Sequence, residues 1–158
     1  MKFKFYFLVI TLFLFQTTNA QTFQWAKEFN VSGIDTSWTS GNVIKADALG
    51  NIYIAGSFRE TTDFDPGSGT FNMTASGTEG FVCKLGPSGN FLWAKQINVA
   101  ISAMVIDASG NIFLAGAFDG TVDLNPGVGS FNMDSRFPYS ARYIIKHDSY
   151  RDDRRSKK

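Results

Sequence analysis

Apolar residues in this chain fall into short runs, set in pairs around small polar turns. Val43-Ile-Lys-Ala46 and Ile52-Tyr-Ile-Ala55 flank one turn. Phe81-Val-Cys-Lys-Leu85 and Phe91-Leu-Trp-Ala94 flank a second, and Ala103-Met-Val-Ile106 and Ile112-Phe-Leu-Ala115 a third. The turns share one grammar: Ala48-Leu-Gly-Asn51, Pro87-Ser-Gly-Asn90 and Ala108-Ser-Gly-Asn111. Strand, short Gly-containing turn, strand predicts a hairpin, with the glycine taking the positive φ that closes a type I turn plus bulge. Asp47 and Asp107 open two of these turns, where a carboxylate can accept from backbone amides two residues on. No window carries a helical period. The pattern predicts antiparallel sheet.

The hairpins also repeat. Residues 47 to 73 recur without a gap at residues 107 to 133, and sixteen of the twenty-seven positions are identical. A repeat of that length marks a supersecondary unit copied in tandem, each copy burying its apolar face on its neighbour. Within it, Thr61 to Met73 and Thr121 to Met133 centre on Asp-Phe-Asp-Pro-Gly and Asp-Leu-Asn-Pro-Gly. Pro-Gly is a turn signal, so a short extra strand pair or extended excursion is expected there. A second offset links Phe23-Gln-Trp-Ala-Lys27 to Phe91-Leu-Trp-Ala-Lys95.

The expected organisation follows. Residues 21 to 42 carry a lone Trp-Ala-Lys strand and a linker, 43 to 98 a full unit, and 99 to 146 a second unit without that strand. Residues 147 to 158 form a basic disordered tail, since nothing apolar follows Tyr150. The fold class is all-β: tandem antiparallel four-strand blade-like repeats, an incomplete β-propeller of about two units.

The start of the chain reads differently. Lys2 and Lys4 precede the apolar run Phe5 to Phe15, and small residues stand at Thr18 and Ala20. Basic start, short greasy core and small-x-small exit predict a signal peptide over 1 to 20, cleaved after Ala20. The run is shorter than the roughly 20 residues of a membrane span, so no stable membrane anchor is expected.

The whole chain is 44% apolar with 15 glycines and 4 prolines, which suits strands and tight turns around a core. Its net charge of +1 conceals an asymmetry: ten acids against five bases over 21 to 133, then eight bases against four acids over 134 to 158. An acidic, exported body makes nucleic acid an unsuitable partner. Cys83 is the only cysteine, so no internal disulfide can form, and its apolar run predicts a buried core residue.

The pattern D-x-x-G-N-x-Y-x-x-G-x-F, then D-F-D-P-G, then F-V-x-K-L-x-x-x-G-N-x-x-W-A-K resembles the secreted bacterial β-propeller (SBBP-type) repeats, in the variety carrying a DFDPG insertion. Asp47, Gly50, Asn51, Tyr53, Gly56, Phe58, Lys84, Gly89, Trp93 and Lys95 fall on it, and the likeness covers residues 23 to 133. The resemblance implies an extracellular or cell-surface repeat protein and no particular reaction. After Met133 the pattern gives way to Tyr143-Ile-Ile-Lys146, displaced by two, and then to the basic tail. Closed propellers need about four blades or more, so two units cannot close a ring. A truncated piece of a longer repeat protein is the accompanying expectation.

Candidate chemistry is sparse. Asp63, Asp65, Asp123 and Asn125 are the candidate metal ligands, because hard oxygens two residues apart on a loop can face one Ca²⁺ ion. Pro66 and Pro126 stand where further ligands are needed, which favours turn capping instead. His147 is the only histidine and falls in the off-pattern tail, so no histidine pair exists for zinc or proton relay. No G-x-S-x-G elbow or matched acid pair stands out, and the chain is read as not an enzyme. Trp25 and Trp93 recur in the repeat and are expected to pack between units. Trp38 breaks the repeat in a polar Ser/Thr/Gly loop and is the candidate ligand-binding aromatic.

The expected function is an exported, non-enzymatic repeat module with a structural or binding role at the cell exterior, secreted or at the cell surface. It needs no cofactor. The alternative is a calcium-stabilised module that binds carbohydrate or protein. The missing strand of the second unit predicts an open sheet edge and self-association through it.

Overall fold

The computed structural model describes residues 22–32, 37–125, 129–136 and 140–148. The expected leader at 1–20, the linker residues 33–36, the second Pro-Gly turn and the tail from 149 lie outside the described residues.

Ten strands and no helix make up the described residues. They are β1 (Asn30–Ser32), β2 (Trp38–Ala46), β3 (Ile52–Asp63), β4 (Asn72–Leu85), β5 (Phe91–Ile97), β6 (Ile101–Ile106), β7 (Ile112–Phe118), β8 (Thr121–Asp123), β9 (Asn132–Asp134) and β10 (Ala141–His147). All pairs are antiparallel. The first sheet runs β2-β3-β4-β5, with β1 pairing the far end of β3 beside β2. The second runs β6-β7-β10, and β8 and β9 form a separate pair.

The two copies share backbone register. In the first, Ala46, Lys45, Ile44 and Val43 face Ile52, Tyr53, Ile54 and Ala55, and a bulge then brings Gly41 opposite Gly56. In the second, Ile106, Val105, Met104 and Ala103 face Ile112, Phe113, Leu114 and Ala115, and a bulge brings Ile101 opposite Gly116. The excursions match as well. Thr61, Thr62 and Asp63 pair with Thr74, Met73 and Asn72, and Thr121, Val122 and Asp123 pair with Asp134, Met133 and Asn132.

The copies differ in continuity. In the first, the excursion pair is fused into long β3 and β4 through a bulge at Arg59/Thr61. Glu60 there sits at φ 64, and its counterpart Gly120 has φ 73. The geometry calls for a left-handed residue that only glycine adopts without steric cost. Glu60→Gly is therefore expected to raise stability by about 1 kcal/mol, read by urea titration, as the strain relieved exceeds the entropy lost. On the β4 side, the backbone loops out over Ala75 to Gly77. Buried Glu79 anchors this detour by accepting from Ser76 N at 3.1 Å and Ser76 Oγ at 2.8 Å, and it also accepts from Gln96 Nε2.

Two apolar clusters hold the molecule. One lies where the sheets meet and unites Tyr53, Val82, Trp93 and Ile97 of the first copy with Ile101, Met104, Leu114 and Tyr143 of the second. The other covers the remaining face of the first sheet with Phe58, Phe64, Phe81, Cys83 and Leu85. Phe64 comes from the excursion loop, which folds its ring back onto Phe58 at 5.2 Å and Phe81 at 4.7 Å between centroids. Asn42, at the β2 bulge, donates through Nδ2 to Ile101 O at 2.9 Å and ties one sheet to the other.

Three expectations need correction. Phe23 to Lys27 forms no strand: residues 22 to 29 lack regular structure, and Trp25 Nε1 donates to Pro87 O at 3.2 Å over the second hairpin turn. Asn30 to Ser32 takes the strand instead, because Phe29 seats its ring on Phe64 and Phe81 and fixes the chain there. Trp38 opens β2 opposite Arg59 and is not in a loop. His147 ends β10 opposite Ile112, half-buried, and so belongs to the second unit and not to the tail.

Candidate functional site

The recurring carboxylates divide into two sets. Asp47 and Asp107 open the hairpin turns. Asp47 Oδ1 accepts from Leu49 N at 3.0 Å and Asn51 N at 2.9 Å, and Oδ2 from Asn51 Nδ2 at 2.8 Å. Asp107 accepts from Ser109 N, Asn111 N and Asn111 Nδ2 at 2.9, 2.9 and 2.7 Å. The Asp-x-x-Gly-Asn grammar thus closes on itself, with Gly50 and Gly110 at φ 78 and 81. Asp47 Oδ2 also lies 3.5 Å from Lys84 Nζ and accepts from Tyr53 OH at 3.3 Å. Lys84 rests over the Tyr53 ring, 4.7 Å from its centroid.

The two turns meet beside a cleft of about 420 Å³ lined by Asp47, Leu49, Tyr53, Lys84, Asp107 and Ser109. It is open, with a mixed lining in which apolar surface exceeds polar, and its two carboxylates are already engaged by the turns. What it can do chemically is present hydroxyl, ammonium and carboxylate groups to a polar ligand.

The second set lies in the excursions. Asp63 Oδ1 accepts from Asp65 N at 3.0 Å and Phe71 N at 2.8 Å. Asp123 Oδ1 accepts from Asn125 N at 2.9 Å and Phe131 N at 2.8 Å. Each aspartate staples the two ends of its loop. Asp65 Oδ1 accepts from Gly67 N at 2.8 Å, closing the Pro-Gly turn. The candidate metal residues are therefore placed in two loops, one per copy, and each pair is engaged in backbone hydrogen bonding. Among the described residues no three His, Cys, Asp or Glu side chains gather where they could hold a metal ion. Backbone stapling accounts for the recurrence of these residues without a cation. The thermal midpoint is expected to be the same within about 1 °C with Ca²⁺ and with chelator, since only binding to the folded state shifts it. A rise of several degrees with Ca²⁺ alone would show that these loops bind the metal.

These hydrogen bonds set the acid response. Burial raises the Asp47 pKa, and donation from Asn51 and Leu49 together with the Lys84 charge more than offsets it, leaving the group below its ordinary 3.8. The Asn51 contacts have their counterpart at Asp107, where the Asn111 side chain leads, and backbone donation from Phe131 and Asn125 lowers Asp123. A carboxyl with a depressed folded pKa contributes stability above its unfolded value and loses it as pH falls through the folded one. Stability is thus expected to hold down to about pH 4 and to fall below it, read as thermal midpoint against pH. Asp47→Asn with Asp107→Asn should flatten that acid limb; an unchanged slope would place the acid sensitivity elsewhere.

The remaining candidates are placed as follows. Trp38 is 38% exposed on edge strand β2. Trp93 is buried, edge-on to Tyr53 at 6.0 Å, within the core between the sheets. Cys83 is fully buried, and desolvation, helped by the Asp65 charge, pushes its thiol up to about 12. Burial holds His147 below its ordinary 6.5, partly opposed by Asp148. Sequence reasoning missed Asn42 and the Glu79–Gln96 pair. Asn42 aligns with Ser102, so repetition gave no signal for it, and Glu79 falls outside the matched stretch.

No protein-family model and no solved structure matches this chain. It is similar to an uncharacterized WD repeat-containing protein of Acanthamoeba polyphaga mimivirus, 31% identical over 119 residues, covering 66% of this chain. The chain spans 8% of that protein's length. The likeness reaches as far as a β-propeller-like repeat, in keeping with the all-β antiparallel sheets described above.

Proposed function

We propose that this chain is an exported, non-enzymatic repeat module of the SBBP β-propeller type, with a structural or binding role at the cell exterior. The observation that carries the reading is the shared use of the recurring acids. Asp47, Asp107, Asp63 and Asp123 each hold backbone amides of their own turn in both copies. What the repetition preserves is sheet geometry, the property a scaffold needs. The basic and apolar leader read from residues 1 to 20 supports export. The test is expression of the full chain in a bacterium with a general secretory pathway, followed by N-terminal sequencing. Extracellular or periplasmic protein beginning at Gln21 is expected; protein kept inside with Met1 or the leader intact would overturn export.

A second reading, a module that binds carbohydrate or protein, rests on Trp38, exposed at the start of edge strand β2. An indole there can stack on a sugar face. A glycan array with hits lost on Trp38→Ala supports it, and an array without hits removes it.

A further inference from the structure

In the first sheet, β4 is covered on its outer side by β5, with Lys84 opposite Trp93, Cys83 opposite Ala94 and Val82 opposite Lys95. The ring of Phe91 at the start of β5 packs tilted against Phe71, 5.0 Å between centroids. Among the described residues the second sheet, β6-β7-β10, has no counterpart of β5, nor of the short β1. Its β10 pairs only with β7 among the described residues, and Lys146 stands opposite Phe113 as Lys84 stands opposite Tyr53. Phe131, the counterpart of Phe71, is 61% exposed, and Ile144 is 80% exposed. Between Phe131, Leu124 and the Ile144–Lys146 stretch lies an open cleft of about 380 Å³. One segment of this chain repeats the β5 sequence, Phe23-Gln-Trp-Ala-Lys27, and it lies outside any sheet with Phe23 83% exposed.

We propose that Phe23–Lys27 of a second copy adds to β10 as an antiparallel strand, joining molecules by strand exchange. The β5 register carries over to it: Trp25 opposite Lys146, Ala26 opposite Ile145 and Lys27 opposite Ile144, with Phe23 on Phe131 as Phe91 lies on Phe71. Pairing an open edge satisfies its backbone groups and buries the two exposed phenylalanines together. The move gives up the hydrogen bond from Trp25 to Pro87 O. Phe29 stays on Phe64 and Phe81, and because the acceptor is a separate molecule, the short Glu28–Phe29 link does not limit its reach. Reciprocal exchange closes a two-fold dimer, and one-way exchange gives an open chain.

The test combines mass with register. Light scattering on the purified chain should give two or more chains per particle, and Phe23→Asp should weaken association at least tenfold while the melting point of the monomer stays put. In a Cys83→Ser background, Ala26→Cys chains mixed with Ile145→Cys chains should form a mixed disulfide. Ala26→Cys mixed with Ile144→Cys, one residue out of register, should form several-fold less. A monomeric chain without cross-linking would overturn the proposal. So would a double Ala26→Cys, Ile145→Cys variant that links within one chain, because the strand would then close its own sheet.

Discussion

Phe64→Ala should lower stability by about 4 kcal/mol, the largest effect expected of any single truncation here. The ring is fully buried, although it comes from an excursion loop and not from a regular strand. It stands among three others: Phe29 at 5.3 Å, Phe58 at 5.2 Å and Phe81 at 4.7 Å between centroids. Truncation removes the transfer energy of a phenyl group, leaves a cavity that three rings cannot close, and loses one edge-on and two tilted ring contacts. Domains of this size have roughly 5–15 kcal/mol in total, so the variant should be barely folded at 37 °C. The urea midpoint should fall with an unchanged slope. A loss below about 1 kcal/mol would mean that the excursion does not dock on the sheet.

Gly56→Ala and Gly116→Ala should each cost about 3 kcal/mol, lowering the melting point by roughly 10 °C. The two positions are equivalent. A Cβ on Gly56 would stand 1.9 Å from Ser40 O, and one on Gly116 would stand 2.3 Å from Ala100 O. Both obstacles are backbone, so no rotamer change relieves them. In each copy the carbonyl precedes the bulge that brings Gly41 opposite Gly56 and Ile101 opposite Gly116. The glycine thus permits the bulge, and the bulge sets the bend of the sheet. Gly77 is the internal control: nothing lies within 4 Å of its Cβ direction, and Gly77→Ala should be neutral or stabilise by about 0.5 kcal/mol. Equal effects at all three sites would sink the steric account.

The hairpins were legible because their signals are local. Each strand core from Val43 to Ile112, each Asp-x-x-Gly-Asn turn and the sixty-residue offset can be read from neighbouring residues alone. The strand extensions were not. Thr61 to Asp63 and Asn72 to Thr74 are polar, and they stay in the sheet because register carries them past Glu60, which bears no glycine to announce the bulge. Trp38 reads as a loop residue for the same reason: Ser, Thr and Gly surround it, yet pairing with β3 overrides their weak propensities. Phe23 to Lys27 failed in the opposite direction. Its sequence is that of a strand, and what it lacks in the described fold is an adjacent edge to pair with. The roles of Asp63 and Asp123 were half legible: type and spacing marked the loops, while only the folded geometry shows which backbone amides each carboxylate holds.

The core between the sheets has a consequence for how the molecule comes apart. Val99 O lies against the place a Gly80 side chain would fill, and Asn42 reaches across to Ile101 O. Neither copy keeps its greasy face dry once the other melts, so both should denature in one concerted step, and arrays of more copies should gain resistance with each addition.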